Sequence, residues 1–327
     1  MLVITGGGGF IGSVLAARLN ADGHGDIVIV DRFGSGEKWR NIAKRDLCEI
    51  VPIDGLFGWL DRFGDEVEAV FHLGAISDTT ESDADLVIAT NFSRSVALWR
   101  WCAGAQRRLI YASSAATYGD GTAGFDDRGD IPATKRLRPL NLYGWSKHAF
   151  DLWALREAAA GRAPPFWAGV KFFNVFGPNE YHKGEMMSLV AKNYRPITAG
   201  EPIRLFKSHR PDFGDGEQTR DFVYVKDCAE MLRWMLRQGR QSGIFNFGTG
   251  RARSFRDLMG AVGAVCGVAP VIDYIDTPAA IRPNYQYWTE AQMTKLRAAG
   301  YAAPFTPLED AVADYVTHYL ARPDPYL

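Results

Sequence analysis

Three glycines at three-residue spacing, Gly6, Gly9 and Gly12, lie between an apolar run, Leu2 to Ile4, and a stretch with helical character from Gly12 to Ala21. This junction constrains the chain more than any other feature. A strand that ends in a glycine turn and feeds a helix is the opening of a β-α-β unit. One glycine permits the tight turn, another lets a ligand's pyrophosphate approach the backbone, and the third lets helix and strand pack closely. The helix N-terminus then faces negative charge. Gly6, Gly9, Phe10, Ile11 and Gly12 are therefore the expected dinucleotide cradle. Asp31 ends the next apolar run, where an acid accepts hydrogen bonds from an adenosine ribose, which favours NAD. The neighbouring bases Arg32 and Lys38 can instead neutralise a 2′-phosphate, which favours NADP, so the local pattern admits both.

Strand and helix signals alternate through the first half. Strands are expected at 2–4, 26–31, 68–73, 108–112 and 167–173, and helices at 12–21, 85–102 and 145–159. This rhythm implies an α/β fold with a doubly wound parallel sheet and right-handed crossovers. After Phe173 the rhythm breaks into loops rich in proline, glycine and charge, around a helix near 186–194. Runs at 221–225 and 243–247 are expected to rejoin the main domain, and 270–276 and a helix near 308–320 belong with the later part. The expected division is 1–170 for the dinucleotide, with about 220–250 returning to it, and 171–327 mainly for substrate.

Tyr143 and Lys147 are four residues apart at the start of a helical stretch and share a face. A phenol ordinarily titrates near 10, and a lysine cation beside it is expected to lower that value. Ser114 lies just past a strand end, where open α/β sheets bind ligands. Together these residues suit the movement of a proton and a hydride.

Bulk properties exclude several classes. The 327 residues carry a formal net charge of -1 with dispersed bases, which offers no nucleic-acid footprint. Cys48, Cys102, Cys228 and Cys266 are far apart and form no C-x-x-C pair, so neither a metal nor a disulfide framework is expected, and a reducing cytoplasm fits. Met1 to Thr5 reads as a buried strand rather than a signal peptide. No apolar run nears the roughly 20 residues needed to span a bilayer. Trp99, Trp101, Trp153 and Trp234 lie in helical stretches and are expected to pack in the core or an interface.

The motifs Thr5-Gly-Gly-Gly-Gly-Phe-Ile-Gly12, His72-Leu-Gly-Ala75, Ser113-Ser-Ala-Ala-Thr-Tyr-Gly119 and Tyr143-Gly-Trp-Ser-Lys147 occur in order along the chain. In them the chain resembles the extended short-chain dehydrogenase/reductases, which include nucleotide-sugar epimerases and dehydratases. The resemblance implies a Rossmann-type domain with a smaller α/β substrate domain. It also implies that Leu73, Gly74, Ala75, Ile76, Ser77, Asn91 and Val175 line the cofactor, that Lys147 holds the nicotinamide ribose, and that the protein is a homo-oligomer, commonly a pentamer.

Three further segments are similar to the branch of that family that epimerises ADP-heptose at C6″: Ile76-Ser-Asp-Thr-Thr-Glu81, Phe172 through Gly184, and Arg220-Asp-Phe-Val-Tyr-Val-Lys-Asp227. This likeness implies NADP as cofactor, an ADP-heptose substrate serving a lipopolysaccharide core or a related glycan, and Lys183 as a second proton-transfer residue that also meets the cofactor. An epimerase must return hydride to either face of a carbonyl, which two acid/base groups serve better than one. Lys183 as a phosphate ligand is the alternative. The same likeness points to Arg220, Phe206, Lys207, Ser208 and His209 for the diphosphate and to Asn174 and Tyr285 for substrate. Glu185 and Lys192 stand where that branch has a serine and a histidine touching substrate. Two other readings are a different nucleotide-sugar enzyme, such as a UDP-sugar 4-epimerase or a dehydratase, and a non-catalytic dinucleotide sensor. Ala115-Ala-Thr-Tyr118 lacks the acid a dehydratase wants, and retention of Ser114, Tyr143, Lys147 and Lys183 disfavours a sensor.

Overall fold

The computed structural model describes residues 1–279, 282 and 285–327. Six strands come first: β1 (Leu2–Thr5), β2 (Ile27–Asp31), β3 (Glu49–Pro52), β4 (Ala69–His72), β5 (Arg108–Ser114) and β6 (Trp167–Phe172). Then follow β7 (Asn174–Phe176), β8 (Ile203–Phe206), β9 (Thr219–Arg220), β10 (Phe222–Tyr224), β11 (Gly243–Phe247), β12 (Arg253–Ser254) and β13 (Ile272–Ile275). Seven of them form one parallel sheet in the order β11-β6-β5-β4-β1-β2-β3. Strand order reverses between β1 and β4, which opens a crevice at their C-terminal ends.

Both sheet faces are covered, so the inner strands read as continuous apolar runs. In β1, Leu2 and Ile4 face one core layer and Val3 the other, all fully buried. Trp99, Trp153, Trp167 and Phe150 pack edge-on or stacked in the second layer, so Trp99 and Trp153 are packing residues.

Three differences from the sequence reading have physical reasons. Edge strand β3 was not expected, because its four residues leave Glu49, Ile50 and Pro52 exposed and carry little apolar signal. Phe222–Tyr224 does not enter the main sheet; it pairs in parallel with β7 as a separate ribbon, and only β11 joins the large sheet. The catalytic-motif helix starts at Leu142 rather than 145, because the Asn141 side chain accepts from Gly144 N and caps it there. Tyr143 therefore sits in the first turn. Beyond β6, β8 pairs with β13 and β9 with β12. Among the described residues no helix is long and apolar enough to cross a membrane.

Candidate active site

A cleft of about 620 Å³ opens over the C-terminal ends of β1, β4, β5 and β6. Its floor is the glycine turn. Gly6 has φ +68, and a Cβ there would lie 2.5 Å from the Gly74 backbone, so the loops after β1 and β4 touch at the crevice. Gly9 heads the helix α1 (Phe10–Ala21), and no side chain caps that helix, which leaves its first N–H groups for an anion. A glycine cradle and an uncapped helix end fit a dinucleotide pyrophosphate. Gly6, Gly9, Phe10, Ile11, Gly12, Leu73, Gly74, Ala75, Ser77 and Val175 all line the cleft, as expected of cofactor contacts.

Asp31 and Lys38 line it too, and they are paired. Asp31 Oδ1 accepts from Lys38 Nζ at 2.6 Å and from Arg32 N at 2.7 Å, while Oδ2 accepts from Gly8 N at 2.9 Å. The Arg32 side chain is exposed, stands outside the cleft lining and pairs with Asp54 at 3.3 Å.

Tyr143, Ser114 and Lys147 meet at the cleft wall formed by β5 and the helix Leu142–Ala159. Lys147 is buried and donates to Ala112 O at 2.8 Å, and burial brings its ammonium down to about 8 against the pull of Asp151. The expected lowering of Tyr143 by Lys147 is corrected here. Burial raises the phenol, the neighbouring Ser114 hydroxyl brings it partly back, and the Asp151 carboxylate raises it further. The lysine is turned toward the Ala112 carbonyl, so desolvation dominates.

Lys183 enters from a separate element, the 3-10 turn Tyr181–Met186, and its Nζ lies 5.1 Å from the Phe10 ring centroid. Burial lowers its ammonium, opposed by Glu180. That loop is firmly built. Glu180 is fully buried and accepts from Ser188 N at 2.6 Å, Ser188 Oγ at 2.7 Å and Gly177 N at 3.3 Å. Asn179, with φ +73, ties it to α1 by donating to Ser13 Oγ at 3.0 Å.

Arg220 and Tyr285 line the far end. Arg220 is 7% exposed and lies between the Phe255 and Tyr285 rings, at 5.5 and 5.4 Å from their centroids. Its side chain donates to the uncharged Thr219 O at 2.8 Å, and burial lowers the guanidinium. Among the described residues no carboxylate lies within ion-pair distance of it. Asn174 also faces this part of the cleft.

Several expected contacts fall elsewhere. Asn91 is buried behind the cleft. It exchanges hydrogen bonds with Ile76 N and O, both at 2.9 Å, and donates to Ser146 Oγ at 3.0 Å, so Asn91 and Ile76 brace the loop after β4 against the catalytic helix without lining the cavity. Glu185 and Lys192 pair with each other at 2.8 Å outside the lining, because the two charges find one another across one turn of loop and helix. Phe206 packs edge-on against Tyr285 at 5.9 Å, and Lys207, Ser208 and His209 lie beyond it, outside the lining.

His182 lines the cleft and was not singled out from sequence. The Asn41 amide donates both to Gly8 O at 3.0 Å and to His182 Nδ1 at 3.2 Å. The His182 ring proton therefore sits on Nε2, and partial desolvation at the cleft edge, with Lys38 and Lys183 nearby, brings the exposed imidazole down to about 4. Its position beside Lys183 was the one available signal.

The comparisons agree with this architecture. Residues 2–248 match the model of the NAD dependent epimerase/dehydratase family. The chain is 49% identical over its whole length to an ADP-L-glycero-D-manno-heptose-6-epimerase of Nitratidesulfovibrio vulgaris, all of which is covered. It is 44% identical to the enzyme of that name from Fusobacterium nucleatum, again over the whole of both chains. The crystal structure of the Helicobacter pylori ADP-L-glycero-D-manno-heptose-6-epimerase superposes with a TM-score of 0.79 at 28% identity, covering 97% of this chain and 95% of that one. With its glycine cradle, Tyr-x-x-x-Lys wall and full-length identity to these relatives, the chain belongs to the NAD-dependent epimerase/dehydratase family and, within it, to the ADP-L-glycero-D-manno-heptose-6-epimerases.

Proposed function

We propose that this protein interconverts ADP-D-glycero-D-manno-heptose and ADP-L-glycero-D-manno-heptose by transient oxidation at C6″. The observation that carries the reading is that two separately mounted acid/base groups, Tyr143 and Lys183, line one cleft with a dinucleotide cradle. The bound nicotinamide supplies the hydride acceptor and donor. Either Tyr143 or Lys183 removes the C6″ hydroxyl proton as the C–H bond is broken, leaving a ketone. After the centre turns over, the other residue donates a proton to the oxygen as hydride returns to the opposite face. Ser114 steadies the oxygen, and Lys147 orients the cofactor ribose. No net redox change occurs.

The dinucleotide we assign is NADP. Lys38 neutralises Asp31, which removes the charge that would repel a 2′-phosphate, and Arg32 is close enough in sequence and exposed enough to swing onto it. We further propose that residues 1–170 with about 220–250 hold the cofactor and the rest mainly the substrate. By the family likeness the assembly is a homo-oligomer, a pentamer, working in the cytoplasm.

Incubation of purified protein with ADP-D-glycero-D-manno-heptose, without added cofactor, tests the reading. NMR of the sugar should show the L-glycero epimer at constant nicotinamide absorbance. Absence of conversion with nucleotide still bound would overturn the substrate and leave the fold.

Arg220 is assigned to the diphosphate. Removing a charge-assisted contact of about 2 kcal/mol raises KM some thirtyfold. Because the guanidinium is buried without a carboxylate partner, Arg220→Met should also raise thermal stability. Unchanged KM, read from initial rates, would contradict the assignment.

A further inference from the structure

Tyr143, Lys147 and Asp151 occupy successive four-residue steps on one face of the helix Leu142–Ala159. The first two reach the cleft. Asp151 does not, and it is fully buried. Strand β5 meets this face residue by residue. Tyr111 OH and Ser113 Oγ donate to the Asp151 carboxylate at 3.0 and 2.7 Å, Ala112 O takes Lys147, and Ser114 meets Tyr143. Strand β6 completes the cluster. Gly169, opposite Tyr111 in the register, leaves room for the tyrosine ring, and Lys171, opposite Ser113, places its Nζ 2.9 Å from Asp151. Lys171 also donates to Thr117 Oγ1 and lies 4.7 Å from the Tyr118 ring centroid. Both ions of this pair are essentially out of water.

A buried ion pair is a weak source of stability, since apolar groups of like volume often replace it without loss. Its place directly under the catalytic pair gives it a different use. We propose that Asp151 and Lys171 are positioning residues that set the charge balance of Tyr143 and Lys147, the carboxylate holding the Lys147 ammonium charged and Lys171 limiting how far that carboxylate opposes a Tyr143 phenolate. The inference rests on Tyr143 acting as an acid/base group in the proposed reaction.

The other groups facing the cluster do not supply this balance. His72, on β4, is brought to about 3 by burial and by Lys147 and Arg94, so it is neutral throughout the working range. Tyr111 and Tyr118 are pushed well up by burial and stay neutral. His148 is lowered by burial, and Asp127 lies across Tyr118, held by Asn246 N at 2.7 Å. Asp151 raises both Tyr143 and Lys147 and is itself countered by Lys171. Removing either member of the pair should therefore shift the catalytic groups in opposite directions.

The test uses the cofactor-loaded full chain. In Asp151→Asn the acidic limb of the kcat/KM profile should move down by about one pH unit, and in Lys171→Met up by about as much. The double variant should lie between them, and Lys171→Arg should restore the wild-type limb. The same order should appear in the Tyr143 phenolate absorbance, titrated as a difference against Tyr143→Phe in each background. Folded variants whose limbs and titrations stay in place, or move the same way, would overturn the proposal in favour of a purely structural pair. If Lys171→Met does not fold, Lys171→Gln supplies the upward arm. The phenolate titration needs no sugar, so a wrong substrate assignment would silence the kinetic profiles alone.

Discussion

Replacing Tyr143 by Phe should lower the rate of epimerisation by on the order of 10³-fold while leaving the nucleotide bound, because the variant removes one acid/base group and no part of the glycine cradle. The hydroxyl is the atom at issue. Tyr143 lines the cleft with Ser114 and sits in the first turn of a capped helix, so the phenylalanine ring can occupy the same place without disturbing the wall. Burial raises the phenol, so in the resting protein Tyr143 is protonated and stands first as a proton donor. It must give up that proton before it can serve as a base. Single-turnover rates with each epimer separately, together with a nucleotide assay of the purified variant, check the expectation. A residual rate within a few-fold of wild type would remove Tyr143 from the chemistry.

Lys183→Met should produce a comparable loss, on the order of 10²- to 10⁴-fold, with a different signature. Two acid/base groups divide the reaction between the epimers, so a protein that keeps Tyr143 should still oxidise one of them. Nicotinamide absorbance should rise stoichiometrically with that epimer and stay flat with the other, and Tyr143→Phe should show the reverse pattern. If both epimers lost their half-reactions equally and KM rose instead, Lys183 would be a phosphate ligand. The structure favours the first outcome. Lys183 is half-buried beside the apolar Phe10 ring, and its ammonium is lowered by burial, which suits proton transfer better than a solvated point charge. The loop that carries it is held by Glu180 and Asn179, so the methionine variant is expected to keep its shape.

Features read correctly from the sequence are those in which a few neighbouring residues carry the physics. The glycine turn depends on local backbone freedom and on a strand and helix immediately beside it. Asp31 ends the strand next to it, and Tyr143 and Lys147 share a helix face by spacing alone. Residues judged by likeness to relatives fared unevenly in space. Asn174, Arg220, Tyr285 and Lys183 came together in one cleft, while Glu185 and Lys192 satisfied each other outside it. Asn91 turned out to be a brace between two loops, a role visible only from its partners Ile76 and Ser146.

Two signals lay in the sequence unread. Asp151 continues the Tyr143–Lys147 stripe, and Lys171 interrupts the apolar strand Trp167–Phe172, where a lysine needs a buried partner. Neither discloses the other, since they sit on different elements and meet only through the β5-β6 register.

The sequence by itself determined the parallel α/β order, the dinucleotide turn and the shared helix face of Tyr143 and Lys147, because hydrophobic periodicity, glycine conformational freedom and helical spacing act over a few residues. Only the tertiary structure decided the ionisation of that pair, the fate of Glu185 and Lys192, and the union of Asp151 with Lys171. Burial and long-range charge pairing depend on which distant segments the sheet brings into contact, and desolvation there outweighs the local effect of the neighbouring lysine on Tyr143.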